Sequence, residues 1–286
     1  MIAVQIACVA IVALYLLDRF RRDPDPGTSA LRLVLIATAS WIGEDSIIHA
    51  YGFYQYSPQW WPFLDRVPLL VVVIWPIVID SASRLAEYLL APPSWLSRRI
   101  PLAAPAVGAA FVLADASLIE PVSVQAGLWS WNDPGVFRVP PIGILGWALF
   151  TFAALLLVRP LHARGPRRWL ALLTPLLAPL ATHAMLLACW WGALRWVNRP
   201  IDSDFAIALA WLVLGGIAVL SWCGGLRHRV PVRELLARVP AATFFFALLA
   251  IHGRNNLRLV LWTLAFAPPY LTLMALHPRP PSLPSS

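Results

Sequence analysis

Apolar residues come in long blocks along this chain, and the polar residues between them fall in short clusters. A helix needs roughly 20 apolar residues to cross a bilayer. Blocks of that kind cover about residues 1–18, 31–50, 67–90, 101–118, 141–158, 169–194 and 205–223, with a final region at 240–275. The final region is broken by His252-Gly253-Arg254-Asn255-Asn256, which reads as two short spans or a re-entrant hairpin. The pattern predicts an all-α fold, a polytopic membrane helix bundle of about eight or nine segments. Residues 1–276 read as a single integral-membrane helical domain with no internal repeat, and 277–286 as a disordered Pro/Ser-rich tail. Arg19, Arg21 and Arg22 follow the first block instead of preceding it, so that block reads as a membrane helix, not a signal peptide.

Composition strengthens this picture. The chain has 286 residues, 59% hydrophobic and 13% charged, with mean hydropathy +0.70, whereas a soluble domain is about 25% charged. All 22 basic residues are Arg, and the formal net charge is +8. A basic balance can mark a nucleic-acid partner. Here the Arg residues lie in short loops between apolar blocks, which points to membrane lipids and away from nucleic acid.

The loops alternate in character. Basic ones hold Arg19/Arg21/Arg22, Arg98/Arg99, Arg159/Arg164/Arg167/Arg168 and Arg227/Arg229/Arg233/Arg238. Those between them, 51–66, 119–140 and 195–204, are aromatic and acidic. The positive-inside rule puts the Arg-rich loops in the cytoplasm and the N-terminus outside, in a multi-pass protein of a bacterial inner membrane. Glu44, Asp65, Asp115, Glu120, Asp133, Asp202 and Asp204 then share the opposite face. Interfacial aromatic belts account for much of the Trp and Tyr content. They do not account for Glu44 and Asp115, which lie within apolar blocks.

A carboxylate at membrane depth is costly and marks a functional site by default. Glu44 and Asp45 are adjacent, so their side chains diverge by about 100° on a helix and at most one faces a given pocket. Glu44 shares a face with Trp41 and Ile48, and Asp45 with His49. An apolar site favours the neutral carboxylic acid, the form that general-acid chemistry needs. Asp115 has the same context near the end of the fourth block. The aromatic residues of 51–61 and 119–140 have negative ring faces that can stabilise a carbocation. Asp80 and Arg84, at i and i+4, read as an ordinary helix ion pair. Cys8, Cys189 and Cys223 are isolated, and the six His residues lack ligand spacing beyond Asp45-x-x-x-His49, so no metal is expected. No phosphate-binding, dinucleotide or serine-hydrolase motif is present, and no cofactor is expected.

Two runs together resemble integral-membrane carotenoid hydratases, the γ-carotene and bisanhydrobacterioruberin hydratases. The first is Glu44, Tyr51-Gly52-Phe53-Tyr54-Gln55-Tyr56, Val67-Pro68-Leu69 and Trp75. The second is Asp115, Glu120-Pro121, Trp129-Ser130-Trp131, Val139-Pro140 and Gly146-Trp147. The resemblance covers roughly residues 40–150. It departs from the family pattern at the acidic-Pro pair, Glu-Pro here for Asp-Pro, and at an Asn that is replaced near Gly143. It implies cofactor-free acid chemistry on a lipid-soluble polyene or isoprenoid. An acid, Glu44 or Asp115, protonates a terminal alkene, and water captures the tertiary cation. The other carboxylate, or Asp45, places the water. Tyr51, Tyr54, Tyr56, Trp75, Glu120, Trp129, Trp131 and Trp147 line the substrate cavity. A membrane terpene or lycopene cyclase shares the protonation step, with an internal alkene as the nucleophile. A transporter or assembly protein is the rival from another class, because transporters also carry midplane carboxylates and broken helices.

Overall fold

The computed structural model describes residues 1–91, 100, 102–162, 167–223 and 230–275. Long helices dominate it: α1 (Ile2–Arg22), α2 (Pro26–Tyr51), α3 (Leu69–Leu89), α4 (Ala103–Gln125), α5 (Pro141–Val158), α6 (Thr174–Gly192) and α7 (Ser203–Cys223). A shorter C-terminal group follows: α8 (Val239–Leu248), α9 (Leu257–Leu264) and α10 (Ala267–Ala275). Among the described residues, eight stretches are long and apolar enough to cross a membrane. Helix α2 adds 26 residues, less apolar because it carries Arg32, Glu44 and Asp45. The all-α membrane bundle is therefore as the pattern predicts. The C-terminal region resolves into two spans, Val232–Gly253 and Leu257–Met274. Asn256 starts the second by accepting the Leu259 N–H at 3.2 Å.

The core lies where α2, α3 and α5 meet, around Ile36, Ala39, Ile79 and Ala154, none of them exposed. Small residues bring α4 close to its neighbours: a Cβ on Gly108 would stand 2.6 Å from a Leu155 methyl. Close backbone approach through small residues is how membrane helices gain packing, since lipid is as apolar as Leu. Helices α1 and α7 turn Ile6, Val9, Leu212 and Leu220 outward, as a lipid environment permits.

A proline within α4 is accommodated by a distant side chain. Proline has no N–H, so the carbonyl four residues earlier loses its donor. Pro121 frees the Ser117 carbonyl, which accepts from the Trp262 indole at 2.7 Å. This rescue lets α4 run through Pro121 to Gln125. The sequence pattern ends the fourth span near 118 and puts Glu120 in a loop. Glu120 is instead inside the helix and 2% exposed.

Buried charges hold the opposite end of the bundle. Asp80 accepts from Tyr15 at 2.9 Å and Arg19 at 3.1 Å, and Arg84 forks onto Glu234 at 2.7 and 2.8 Å. The expected Asp80–Arg84 pair is therefore replaced by longer-range pairs, because the helix-packing contacts bring fixed partners closer than the flexible i,i+4 neighbour. Arg238, assigned by pattern to a basic loop, is part of the bundle interior. Arg98, Arg99, Arg164, Arg227, Arg229 and the tail 277–286 lie outside the described residues. At the α2 start, Asp25 accepts the Thr28 N–H at 3.1 Å, and the Thr28 side chain together with this N–H holds its carboxyl below the usual range.

Candidate functional site

Two short strands join the aromatic segments. β1 (Tyr54–Tyr56) pairs antiparallel with β2 (Trp129–Trp131), with Tyr54 opposite Trp131 and Tyr56 opposite Trp129. Side chains alternate along a strand. Tyr54 and Tyr56 therefore share a face, as do Trp129 and Trp131, while Gln55 and Ser130 point the other way. Gly52 ends α2 in the left-handed conformation, φ 59°, and turns the chain into β1.

The strands deliver aromatic donors to two carboxylates. Glu44, near the C-terminal end of α2, accepts from the Tyr54 hydroxyl, from Tyr56 at 2.9 Å and from the Trp75 indole of α3 at 2.9 Å. Glu120, near the C-terminal end of α4, accepts from Trp129, Trp131 and the Trp147 indole of α5, each at 2.8 Å. Where the carboxylate is ionised, such charge-assisted hydrogen bonds contribute about 1.5–3 kcal/mol each. The Trp75 and Trp147 rings lie 4.3 Å apart between the two cradles. Burial, and then the Glu44 carboxylate, raise the Tyr54 and Tyr56 phenols well above their ordinary range, so both keep their protons.

Both cradles face one cavity of about 420 Å³, lined mostly by apolar and aromatic side chains. The two sets of partners differ in chemistry. A tyrosine hydroxyl donates or accepts; an indole N–H only donates. Glu44 can therefore carry a proton and give it to a hydroxyl partner, whereas all three partners of Glu120 require an acceptor.

Of the residues singled out in the sequence, Glu44, Tyr54, Tyr56, Trp75, Glu120, Trp129, Trp131 and Trp147 all line this cavity. Asp115 lines it as well, but its carboxylate is bound by Arg238 and by the Tyr270 hydroxyl at 2.7 Å. The Asp115 carboxylate is thus engaged by a cation and a hydroxyl partner, unlike the carboxylates of the two cradles. Asp45 does not line the cavity: it accepts the Arg66 N–H at 3.2 Å and lies 3.6 Å from His49. Its divergence from Glu44 follows from the 100° step of the helix. Asp45, His49 and Asp65 bring their ligand atoms within 4.8 Å, with His49 and Asp65 exposed and 2.7 Å apart. Tyr51 also lies outside the cavity lining and bonds His183 Nδ1 at 2.9 Å.

The two cradles are built alike. Glu44 leads to Tyr54-Gln55-Tyr56, Val67-Pro68 and Trp75; Glu120 leads to Trp129-Ser130-Trp131, Val139-Pro140 and Trp147. Each valine is fully buried and stands eight positions before its tryptophan. This is an internal repeat of helix, strand and helix, contrary to the expectation of none. The two units meet at the antiparallel strand pair, one strand from each. The repeat escapes a search for overall similarity because only the carboxylate, the alternating aromatics and the Val-Pro are shared. The spacing between them was the usable signal. Gly143 has a local reason of its own: a Cβ there would stand 2.5 Å from the Trp131 ring. A larger residue would push that indole off Glu120.

Comparison with known proteins bears on the same region. A family model described as carotenoid biosynthesis protein matches residues 1–213. The match takes in both carboxylates and all six donors, and stops before Trp262, Arg238 and Tyr270. No curated protein and no solved structure matches the chain. With most of its length matched, this multi-pass membrane protein belongs to the carotenoid biosynthesis protein family.

Proposed function

We propose that the protein is a membrane enzyme that hydrates a terminal alkene of a polyene by acid-initiated chemistry. The observation that carries this reading is the pair of carboxylates facing one largely apolar cavity, each bonded, among the described residues, to aromatic donors. The Glu44 carboxylic acid gives its proton to the less substituted alkene carbon. The alkene π electrons form the new C–H bond and leave a tertiary cation. Trp75, Trp129, Trp131 and Trp147 shield that cation with their ring faces. Water adds its oxygen to the cation, and the proton it sheds goes to Glu120. Returning that proton to Glu44 closes the cycle, so the net change is addition of water. The substrate enters from the bilayer, and the part of its chain beyond the cavity stays among lipid-facing helices.

This scheme moves the second role from Asp115 and Asp45 to Glu120. Asp115 is tied to Arg238, and Asp45 points elsewhere. A second reading, cyclisation, keeps the Glu44 step and quenches the cation with an internal alkene. It is favoured by the apolar lining around the carboxylates. A transporter reading draws little from the geometry, since Glu44 and Glu120 gather at one end of the bundle.

Expression in a host that accumulates lycopene, followed by mass spectrometry of the pigments, separates these readings. Hydration adds the mass of water, and cyclisation leaves the mass unchanged. An unchanged pigment profile with well-expressed protein would count against both.

A further inference from the structure

We propose that Ser123 and Glu120 together hold the water that captures the cation. Ser123 lines the cavity and is fully buried, and its hydroxyl has no hydrogen-bond partner among the described residues. A buried hydroxyl is normally paired, and an unpaired one beside a carboxylate in a cavity marks a place for ordered water. Ser123 follows Glu120 by three positions on α4, so the two side chains are neighbours on one helix face, about 5–6 Å apart at Cβ. One water spans that gap, donating to the carboxylate and bonding the hydroxyl.

The internal repeat supplies an independent comparison. The position after Glu44 equivalent to Ser123 is Ile47, which also lines the cavity. The Glu44 side therefore has hydroxyl partners for a proton and an apolar residue where water would sit. The Glu120 side has donor-only indoles and a free hydroxyl. Acid and water are thus assigned to opposite units. Glu120 accepts the proton that the water loses as its oxygen bonds to carbon, so no further reactant is needed.

This inference rests on the hydration reading, and the test separates the two. Membranes carrying wild type, Ser123→Ala or Ser123→Thr are incubated with lycopene in deuterated buffer. Hydrated product and deuterium in the unhydrated polyene are measured together. Wild type should give hydrated product. Ser123→Ala should lose it by roughly a hundredfold, the cost of misplacing a reactant by an ångström, while deuterium still enters the unhydrated polyene. Ser123→Thr should restore hydration. A Ser123→Ala variant that hydrates at the wild-type rate overturns the water site and leaves the hydratase reading standing. Loss of hydration and deuterium together, in a variant with wild-type thermal stability, also overturns it. If Ser123→Ala does not accumulate, Ser123→Cys carries the same comparison. Wild type without hydrated product would instead sink the underlying reading.

Discussion

Replacing each cradle carboxylate with its amide tests the different roles of Glu44 and Glu120. In Glu44→Gln the amide oxygen can face Trp75, and the NH2 can face Tyr54 and Tyr56. Both hydroxyls can turn to accept, so every group keeps a partner and the change in stability should stay below about 1 kcal/mol. In Glu120→Gln no orientation works. With the oxygen toward Trp129 and Trp131, the NH2 meets the Trp147 N–H; with the oxygen toward Trp147, it meets the other two. At least one indole N–H is left unpaired, at a cost of about 1–3 kcal/mol, and the remaining bonds lose their charge assistance. Glu120→Gln should therefore be less stable than Glu44→Gln by about 2–3 kcal/mol. Thermal unfolding of both purified variants in one detergent reads this directly. Activity should fall in the opposite order of folding damage, with Glu44→Gln well folded yet reduced about 10²–10⁴-fold as a general acid is lost. Equal stability of the two amides would refute the donor-acceptor reasoning. Normal product from Glu44→Gln would refute the acid assignment.

Other substitutions probe the supports. Gly143→Ala should displace the Trp131 indole and lower stability by about 1–3 kcal/mol through overpacking, seen as a lower unfolding midpoint with reduced product. Trp262→Phe removes the donor that Pro121 makes necessary, leaving the Ser117 carbonyl unpaired at about 1–3 kcal/mol; its unfolding midpoint should fall, while Leu212→Ala on the lipid face should not move it. Asp45→Asn should leave the hydrated yield unchanged, and a large loss would return Asp45 to the site.

Much of this architecture is legible in the residues. Apolar blocks mark the spans because a bilayer requires a stretch of that length whatever its neighbours are. Glu44, Tyr54, Tyr56, Trp75, Trp129, Trp131 and Trp147 stand out as candidates because carboxylates and aromatics at these depths are unusual in kind. Their hydrogen bonds are not legible. Asp115 and Glu120 look alike in sequence, since both lie near the end of one apolar block. What separates them is Arg238, more than a hundred residues away, which reaches the first and not the second. The helical setting of Glu120 was also hidden by Pro121, a helix breaker by local rules. Its damage is offset by Trp262, from a helix that no local window includes.

The sequence by itself determined a bundle of membrane helices, the helix face that parts Glu44 from Asp45, and the gathering of acidic and aromatic residues toward one end. These follow from hydrophobic length, the angular step of a helix and the alternation of loops, all short-range properties. Only the tertiary structure decided which carboxylates are neutralised by a cation and which face the cavity with neutral donors. It also decided that Tyr-x-Tyr and Trp-x-Trp are paired strands, not an interfacial belt. The reason is physical: a strand pair and a buried ion pair each need two partners, and here the partners lie about 75 to 125 positions apart.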